Sequence, residues 1–223
     1  MKKNIVKIFM AVAIIAGTSS CKNNENKSNT QDAQEVAEAS NESVAYTVDP
    51  EASEIEWIGK KPAGQHMGTI GFAEGTFMAN DSLIESGNFT IDMTSINVTD
   101  LEGDDKSDLE AHLKGTVEGK EGDFFNINQY PEATFEVTDL KESDGKTMLS
   151  GNLTIKDKTN NITFPVSIKK SDDAYTITSD EFTIDRTNWD VNYGSKSVFD
   201  SLGDNFINDD ITLKFTIRAD KKA

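Results

Sequence analysis

A single cysteine, Cys21, leaves this 223-residue chain with no means of stapling its own fold by a disulfide. Histidine is almost as scarce: only His66 and His112 occur, and neither stands in a His-x-x-x-His or His-x-Glu spacing. A metal centre or an imidazole general base is therefore not expected, and no cofactor is implied. Also missing are a Gly-x-Ser-x-Gly elbow, a glycine-rich phosphate loop and any convincing Ser/His/Asp order. Without an acid/base pair, an enzyme is the least favoured class. Positive charge is in short supply too. With the three lysines of residues 1–20 set aside, 19 basic residues face 39 acidic ones, a net charge of −20. A phosphate backbone would repel such a surface, so nucleic acid is excluded as a partner. The acidity reads as solubility rather than as a binding patch.

The first residues have the parts of a secretion signal in the right order. Lys2, Lys3 and Lys7 give a positive start, Ile8–Ala16 is an apolar run of nine, and Gly17–Ser20 are small. Nine residues fall well short of the roughly 20 that span a bilayer. Residues 1–20 are read as a cleaved signal. The cysteine that follows resembles the lipobox cysteine of bacterial lipoproteins, although Thr18-Ser19-Ser20 lacks the usual leucine. Cys21 is thus the candidate lipidation site. It predicts an exported protein anchored to the outer membrane, on its periplasmic or cell-surface side. From Lys22 to Val44 the chain is polar, with no aromatic residue and no apolar period. Residues 21–44 are read as a flexible tether, with order beginning near Tyr46 and one domain over residues 45–220.

Within that domain the dominant signal is period-two alternation. It runs through Ile55 and Trp57; Phe89, Ile91 and Met93; Phe135 and Val137; Leu149, Leu153 and Ile155, which share a face with Gly151; Ile162 to Ile168; Tyr175 and Ile177; Phe182 and Ile184; and Ile211 to Ile217. Each run reads as a half-buried strand. Polar turns such as Ser143-Asp144-Gly145-Lys146 and Lys158-Thr159-Asn160-Asn161 separate them, which favours consecutive antiparallel pairing. One segment departs from the pattern. Ser107 and Glu110 have capping-box spacing, Leu109 and Leu113 share a helical face, and Gly115 is placed to end the turn. Asp123, Phe124 and Phe125, then Tyr130-Pro131, predict a second single turn. The expected fold is all-β: an antiparallel lipocalin-like barrel of about eight strands, with a short helical lid between strands.

Five segments in order carry a family resemblance: Tyr46-Thr-Val-Asp-Pro50 with Ile55-Glu-Trp57; Gly64-Gln-His-Met-Gly68; His112-Leu-Lys114 with Asp123-Phe-Phe-Asn126 and Tyr130-Pro131; Gly151-Asn-Leu-Thr-Ile155; and Phe182-Thr-Ile-Asp-Arg186 through Trp189. The chain resembles the YceI-like family of lipocalin-like barrels that bind polyisoprenoids and related lipids. It departs from that pattern in the glycine-rich, charged stretch Gly115–Gly122, which leaves open whether the lid works in the family's way. The resemblance implies carriage or buffering of a long apolar lipid in the cell envelope, of polyisoprenoid, isoprenoid-quinone or fatty-acyl type.

Physical chemistry is compatible with that cargo. The inward faces are rich in Phe, Ile, Leu and Met, and apolar burial tolerates a flexible chain. At about 0.3 kcal/mol per heavy atom, a tail of roughly 40 carbons could reach about 12 kcal/mol relative to water. The candidate ligand-binding residues are Trp57, Phe72, Phe77, Phe89, Ile91, Phe124, Phe125, Phe135, Phe164, Phe182 and Trp189, with most of this set also serving as core. His66 is a candidate for a head-group hydrogen bond. Arg186 is a candidate for a phosphate contact or, alternatively, for a structural ion pair at a strand end. The acidic run Glu102–Asp108 resembles a calcium loop only superficially, because Lys106 occupies a ligand position. The competing reading is an envelope interaction or adhesion module whose barrel is filled by side chains. Pairing of two barrels into a homodimer is left open.

Overall fold

The computed structural model describes residues 27–81 and 83–222. The signal reading of residues 1–20 and the lipidation reading of Cys21 lie outside them. The strands β1 (Asn29–Asp32), β2 (Val44–Val48), β3 (Glu54–Lys61), β4 (Gly64–Asn80), β5 (Leu83–Asp92) and β6 (Asn97–Val98), of which β3 and β5 correspond to alternating runs, precede the helix α1 (Gly103–Lys114). After it come β7 (Glu132–Ser143), β8 (Lys146–Ile155), β9 (Lys158–Lys170), β10 (Ala174–Ser179), β11 (Phe182–Asp185) and β12 (Asp210–Lys221). The sheet runs β9-β10-β12-β2-β4-β5-β7-β8 and returns to β9, a closed ring of eight antiparallel positions. Closure leaves no long edge for another chain to pair with.

More strands than positions arise because three positions are each occupied by a broken strand. β2 and β3 both lie between β12 and β4, β10 and β11 both lie beside β12, and β5 and β6 both pair with β4. Short 3-10 turns make two of the breaks. At Pro50–Ala52, Asp49 accepts the Glu51 N–H at 3.0 Å, and at Met93–Ser95, Asp92 accepts the Thr94 N–H at 2.9 Å. A carboxylate that captures the first free N–H of such a turn lets a strand bend without orphaning a donor.

The helix is present but starts earlier than its sequence signal. It begins at Gly103, with Glu102 before it and no side-chain cap, so the Ser107–Glu110 capping box does not form. The Ser107 hydroxyl instead bonds back to the Gly103 carbonyl at 3.2 Å, and Glu110 accepts the Val98 N–H at 2.9 Å. Asp104 and Asp105 in the first turn favour this start through the helix dipole. Gly115 ends the helix as expected, at φ 69° with its N–H on the His112 carbonyl. A Cβ there would lie 2.6 Å from the Glu121 carbonyl oxygen.

Residues 27–44 differ from the free tether expected of them. β1 pairs with β9 from Asn29↔Thr163 to Asp32↔Asn160, and the Ser28 N–H bonds the Thr183 carbonyl at 2.9 Å on β11. β9 meets β10 only from Val166 onward, so its first half has no neighbour on that side until β1 enters between β9 and β11. The chain then crosses the outside of the barrel. Buried Asn152 grips Gln34 twice, accepting its N–H at 2.9 Å and donating to its carbonyl at 2.7 Å. Ala37 N–H reaches the Val137 carbonyl at 3.0 Å, and Glu85 accepts from Ser40 and Ser43. Composition misled here because polarity rules out a hydrophobic core, yet it does not stop a backbone from satisfying an open strand edge.

One half of the interior is packed solid. Tyr46 stacks on Phe77 with centroids 5.4 Å apart, Tyr175 meets Tyr46 edge-on at 4.6 Å, and the Tyr175 hydroxyl donates to the Asp81 carbonyl. Beyond them, Phe89, Phe135, Phe164, Phe182 and Phe215 form a continuous layer with neighbouring centroids 4.4–6.3 Å apart. Gly151 makes room for it, since a Cβ there would sit 2.2 Å from the Phe135 ring.

Asn152→Ala is expected to release the strap while the barrel stays folded. It removes both bonds to Gln34 and costs about 1–3 kcal/mol. Hydrogen exchange should accelerate at Gln34 and Ala37 and stay slow in β7 and β8; unchanged protection at both amides would show that Asn152 does not hold the strap.

Candidate functional site

Above the phenylalanine layer the inward residues become aliphatic. Strands β5, β7, β11 and β12 step from Phe89 to Ile91, from Phe135 to Ala133, from Phe182 to Ile184 and from Phe215 to Leu213. Registers place Ile91 opposite Ala133 and Ile184 opposite Ile211, while Leu213 lies opposite Phe182 at the boundary with the packed layer. The result is a cavity of about 250 Å³ in this half of the barrel. Its walls include Ile55 and Trp57 of β3, Ile70 of β4, and Leu153 and Ile155 of β8. That volume lies just below the range of small-molecule sites, which run from about 300 to 1,000 Å³.

Its roof is built from three separate segments. Leu109, His112 and Leu113 come from α1, Phe124 and Phe125 from the segment after it, and Tyr193 from the loop before β12. The amides of Phe125 and Ile127 bond the carbonyls of Leu113 and Lys114 at 3.2 and 2.9 Å, which folds the second segment back along the helix end. His112 joins all three. Its Nε2 lies 2.7 Å from Asp123 Oδ2, and its ring meets Phe124 and Tyr193 edge-on at 5.1 and 4.8 Å. None of residues 115–123 lines the cavity, so the glycine-rich stretch turns outside it.

Carboxylates are missing from the lining; its ionisable side chains other than Tyr193 are Lys60, Lys61, His66, His112 and Arg186. His66 Nδ1 is 3.0 Å from Asp100 Oδ2, and the Met67 N–H bonds the other Asp100 oxygen at 3.0 Å. Partial burial works against ionisation of Asp100, but these two partners outweigh it and hold the carboxyl below its usual pKa. Among the described residues no cluster of three or more His, Cys, Asp or Glu is placed to hold a metal ion.

Arg186 is 2% exposed, at the start of the 3-10 turn Arg186–Trp189. Its guanidinium donates to the carbonyls of Val191 at 2.5 Å, Ile207 at 3.2 Å and Asn208 at 3.2 Å, with Asp209 3.7 Å away. Burial pushes its pKa down, against the raising effect of Asp209 and Asp185. Most of its donors are therefore used in tying the loop before β12 to the barrel. Trp189 is fully buried and donates from Nε1 to the Leu153 carbonyl at 2.9 Å.

Of the candidate residues, the structure brings Trp57, His66, Ile91, Phe124, Phe125, Arg186 and Trp189 together at the cavity. Phe72, Phe77, Phe89, Phe135, Phe164 and Phe182 are buried but do not line it. They belong to the packed core, where aromatic rings fill the barrel's width. Sequence reasoning missed the aliphatic wall, above all Ile55, Ile70, Ala133, Ile155, Ile184, Ile211 and Leu213. The available signal was the drop in side-chain size two residues along from Phe89, Phe135, Phe182 and Phe215.

Replacing Arg186 with Met is expected to destabilise the fold by about 3–5 kcal/mol, because it strands three carbonyls and a neighbouring carboxylate. A fall of about 10 °C in the thermal midpoint would register this. A midpoint within 2–3 °C of the parent, by the same conversion, would mean that the guanidinium is not a structural clamp.

Comparison with known proteins fits this architecture. Residues 46–219 match the family model of the YceI-like domain. Among solved structures the chain is similar to Burkholderia cenocepacia BcnA, at 24% identity and a TM-score of 0.58, covering 77% of this chain and 98% of that one. It is similar also to a polyisoprenoid binding domain from Saccharophagus degradans implicated in plant cell wall breakdown, at 14% identity and a TM-score of 0.56, covering 80% and 99%. At these identities the likeness is one of fold. No curated protein matches the chain.

Proposed function

Since the chain belongs to the YceI-like domain family, we propose that it binds and carries an apolar lipid of isoprenoid or acyl type in the bacterial envelope. The observation that carries this reading is the cavity: an aliphatic chamber roofed by α1 and Phe124-Phe125, with no carboxylate in its lining. The Saccharophagus degradans neighbour is described as a polyisoprenoid binding domain, which supports an isoprenoid as the first cargo to try. A chamber of about 250 Å³ holds only part of a long chain, so the remainder leaves past the roof. α1 has no fully buried residue, and it lies over the chamber, which makes it an element that can be lifted.

The same lining supports binding rather than catalysis. Its two imidazoles are engaged with Asp100 and Asp123, and its most buried cation is engaged with backbone carbonyls. In this reading residues 1–20 direct export and Cys21 carries the acyl anchor at the outer membrane. The rival reading, a barrel filled by side chains that serves as an adhesion module, would suit the packed half alone.

Ala133→Phe tests the proposal directly. Ala133 is buried, faces the cavity and pairs with Ile91, so a phenyl group there would occupy the chamber with little strain on the sheet. Organic extracts of the purified parent should yield a co-purifying apolar molecule on mass spectrometry, and the variant should lose it while keeping its thermal midpoint. Equal lipid content in the two proteins, or repeated absence of lipid from the parent, would refute cavity binding.

A further inference from the structure

Hydrophobic side chains that remain exposed in an acidic, exported domain need a reason, and three of them lie in one loop. Tyr193 is 40% exposed, and Val198 and Phe199 are each 47% exposed; among the described residues only Val36, Val44 and Leu83 are other large hydrophobic residues left so open. The loop is braced. Ser195 is fully buried and bridges Ile207, the Ile207 N–H bonds the Gly194 carbonyl at 2.8 Å, and the Phe199 N–H bonds the Ser195 carbonyl at 3.0 Å. The Ser197 hydroxyl donates to Asp209 at 2.6 Å, while the Lys196 ammonium covers the Phe206 ring at 4.7 Å. Val198 and Phe199 are thus held outward by a built turn. Tyr193 and Ile207 line the cavity, so this loop is part of its rim.

The course of the chain brings the described N-terminal end to the same rim. Lys27 bridges Thr183, and its ammonium lies 2.8 Å from Asp210, the neighbour of cavity-lining Ile211. Cys21 is six residues earlier. Six residues reach at most about 20 Å, whereas a free tether up to Val44 would allow several times that distance. Charge at the rim agrees with a phospholipid surface. Lys60 and Lys61 are exposed at the cavity mouth, and Lys196 lies in the loop itself, though Asp200 and Asp204 in the same loop disfavour a strongly anionic membrane.

We propose that the rim loop Tyr193–Ile207 docks on a zwitterionic phospholipid bilayer, with Tyr193, Val198 and Phe199 entering the headgroup region. Cargo then passes between membrane and chamber without crossing water. The proposal rests on the lipid-carrier reading and assigns the membrane-facing end of the barrel.

The test uses the full chain carrying Cys21→Ser, so that no acyl group contributes to binding. In that background Phe199→Trp places an indole at the rim, and vesicles of phosphatidylcholine with brominated acyl chains report its depth. Quenching beyond that of the Cys21→Ser parent is expected, with a blue shift on vesicle addition. Val198→Asp combined with Phe199→Asp should slow transfer of a fluorescent prenol from vesicles about tenfold, yet leave binding of the same prenol from detergent unchanged. An unquenched indole together with unaltered transfer overturns the docking face. A native mass spectrum in which the double variant converts a dimer to a monomer also overturns it, since the face would then be a contact between copies. Failure of the prenol to bind even from detergent would instead refute the carrier reading, and indole quenching would still stand as support for the docking face.

Discussion

Side-chain size changes along the barrel axis, and the cavity exists because of that change. In a ring of eight strand positions the interior is just wide enough to be filled by side chains or to admit a small ligand, and the inward residues decide which. Where the inward residue is Phe89, Phe135, Phe164, Phe182 or Phe215, rings meet across the axis and the space is full. One pleat period further along, Ile91, Ala133, Ile184 and Leu213 cannot meet, and a chamber opens. The packed half supplies stability that does not depend on cargo, which leaves the open half free to be underfilled. An empty apolar chamber is costly in dispersion contacts, so a hydrocarbon that enters it recovers contacts which water would not.

The ring also has a weak place, and a polar segment completes it. β10 and β11 form one strand position interrupted near Asp180, and after that interruption β9 and β11 no longer pair. β1 enters this gap, pairing with β9 on one side and bonding to Thr183 of β11 on the other. Asn152 then fixes Gln34 through both backbone groups, which ties the segment to β8 regardless of its side chains. Backbone hydrogen bonding thus orders a stretch whose composition has nothing to bury. The barrel wall and the route of the chain toward its N-terminal end are coupled in this way.

Particular residues separate what was legible in the sequence from what was not. Alternation from Ile55 to Ile217 is a local property, and it identified β3, β5 and β7 to β12 but not β1, β2, β4 or β6; the interrupting helix was readable from its own leucine spacing. Gly115 was readable as a helix end because a left-handed backbone there needs a glycine. The helix start was not, since no side chain caps it and Gly103, at φ 59°, does not announce itself in the pattern. The division of inward residues into packed layer and chamber wall was also hidden. It depends on registers between strands, and these shift at the irregularities between Phe72 and Glu74 and between Val137 and Asp139. Phe135 and Ala133 have the same parity and the same burial, but only one lines the void. Aromatic content therefore pointed largely to the layer beneath the site, whereas isoleucine and leucine are the commonest residues of the site itself.

Floor and roof differ in how they are held, and the difference bears on mechanism. The floor joins rings from five strands, of which β5 is laddered to β7, β11 to β12 and β9 to β8, so displacing one ring disturbs several strands. The roof joins three segments through one imidazole, two backbone bonds at the helix end and a few edge-on aromatic contacts. Its helix carries Leu109 and Leu113 half-buried over the void and no side chain sunk in the core. Opening that end breaks few interactions and exposes a small apolar area, while opening the other end would require unzipping the ring. Under the proposed carrier function this asymmetry would serve a cargo that enters and leaves intact: the rigid end would set the depth of the chamber, and the loosely joined end the rate of exchange.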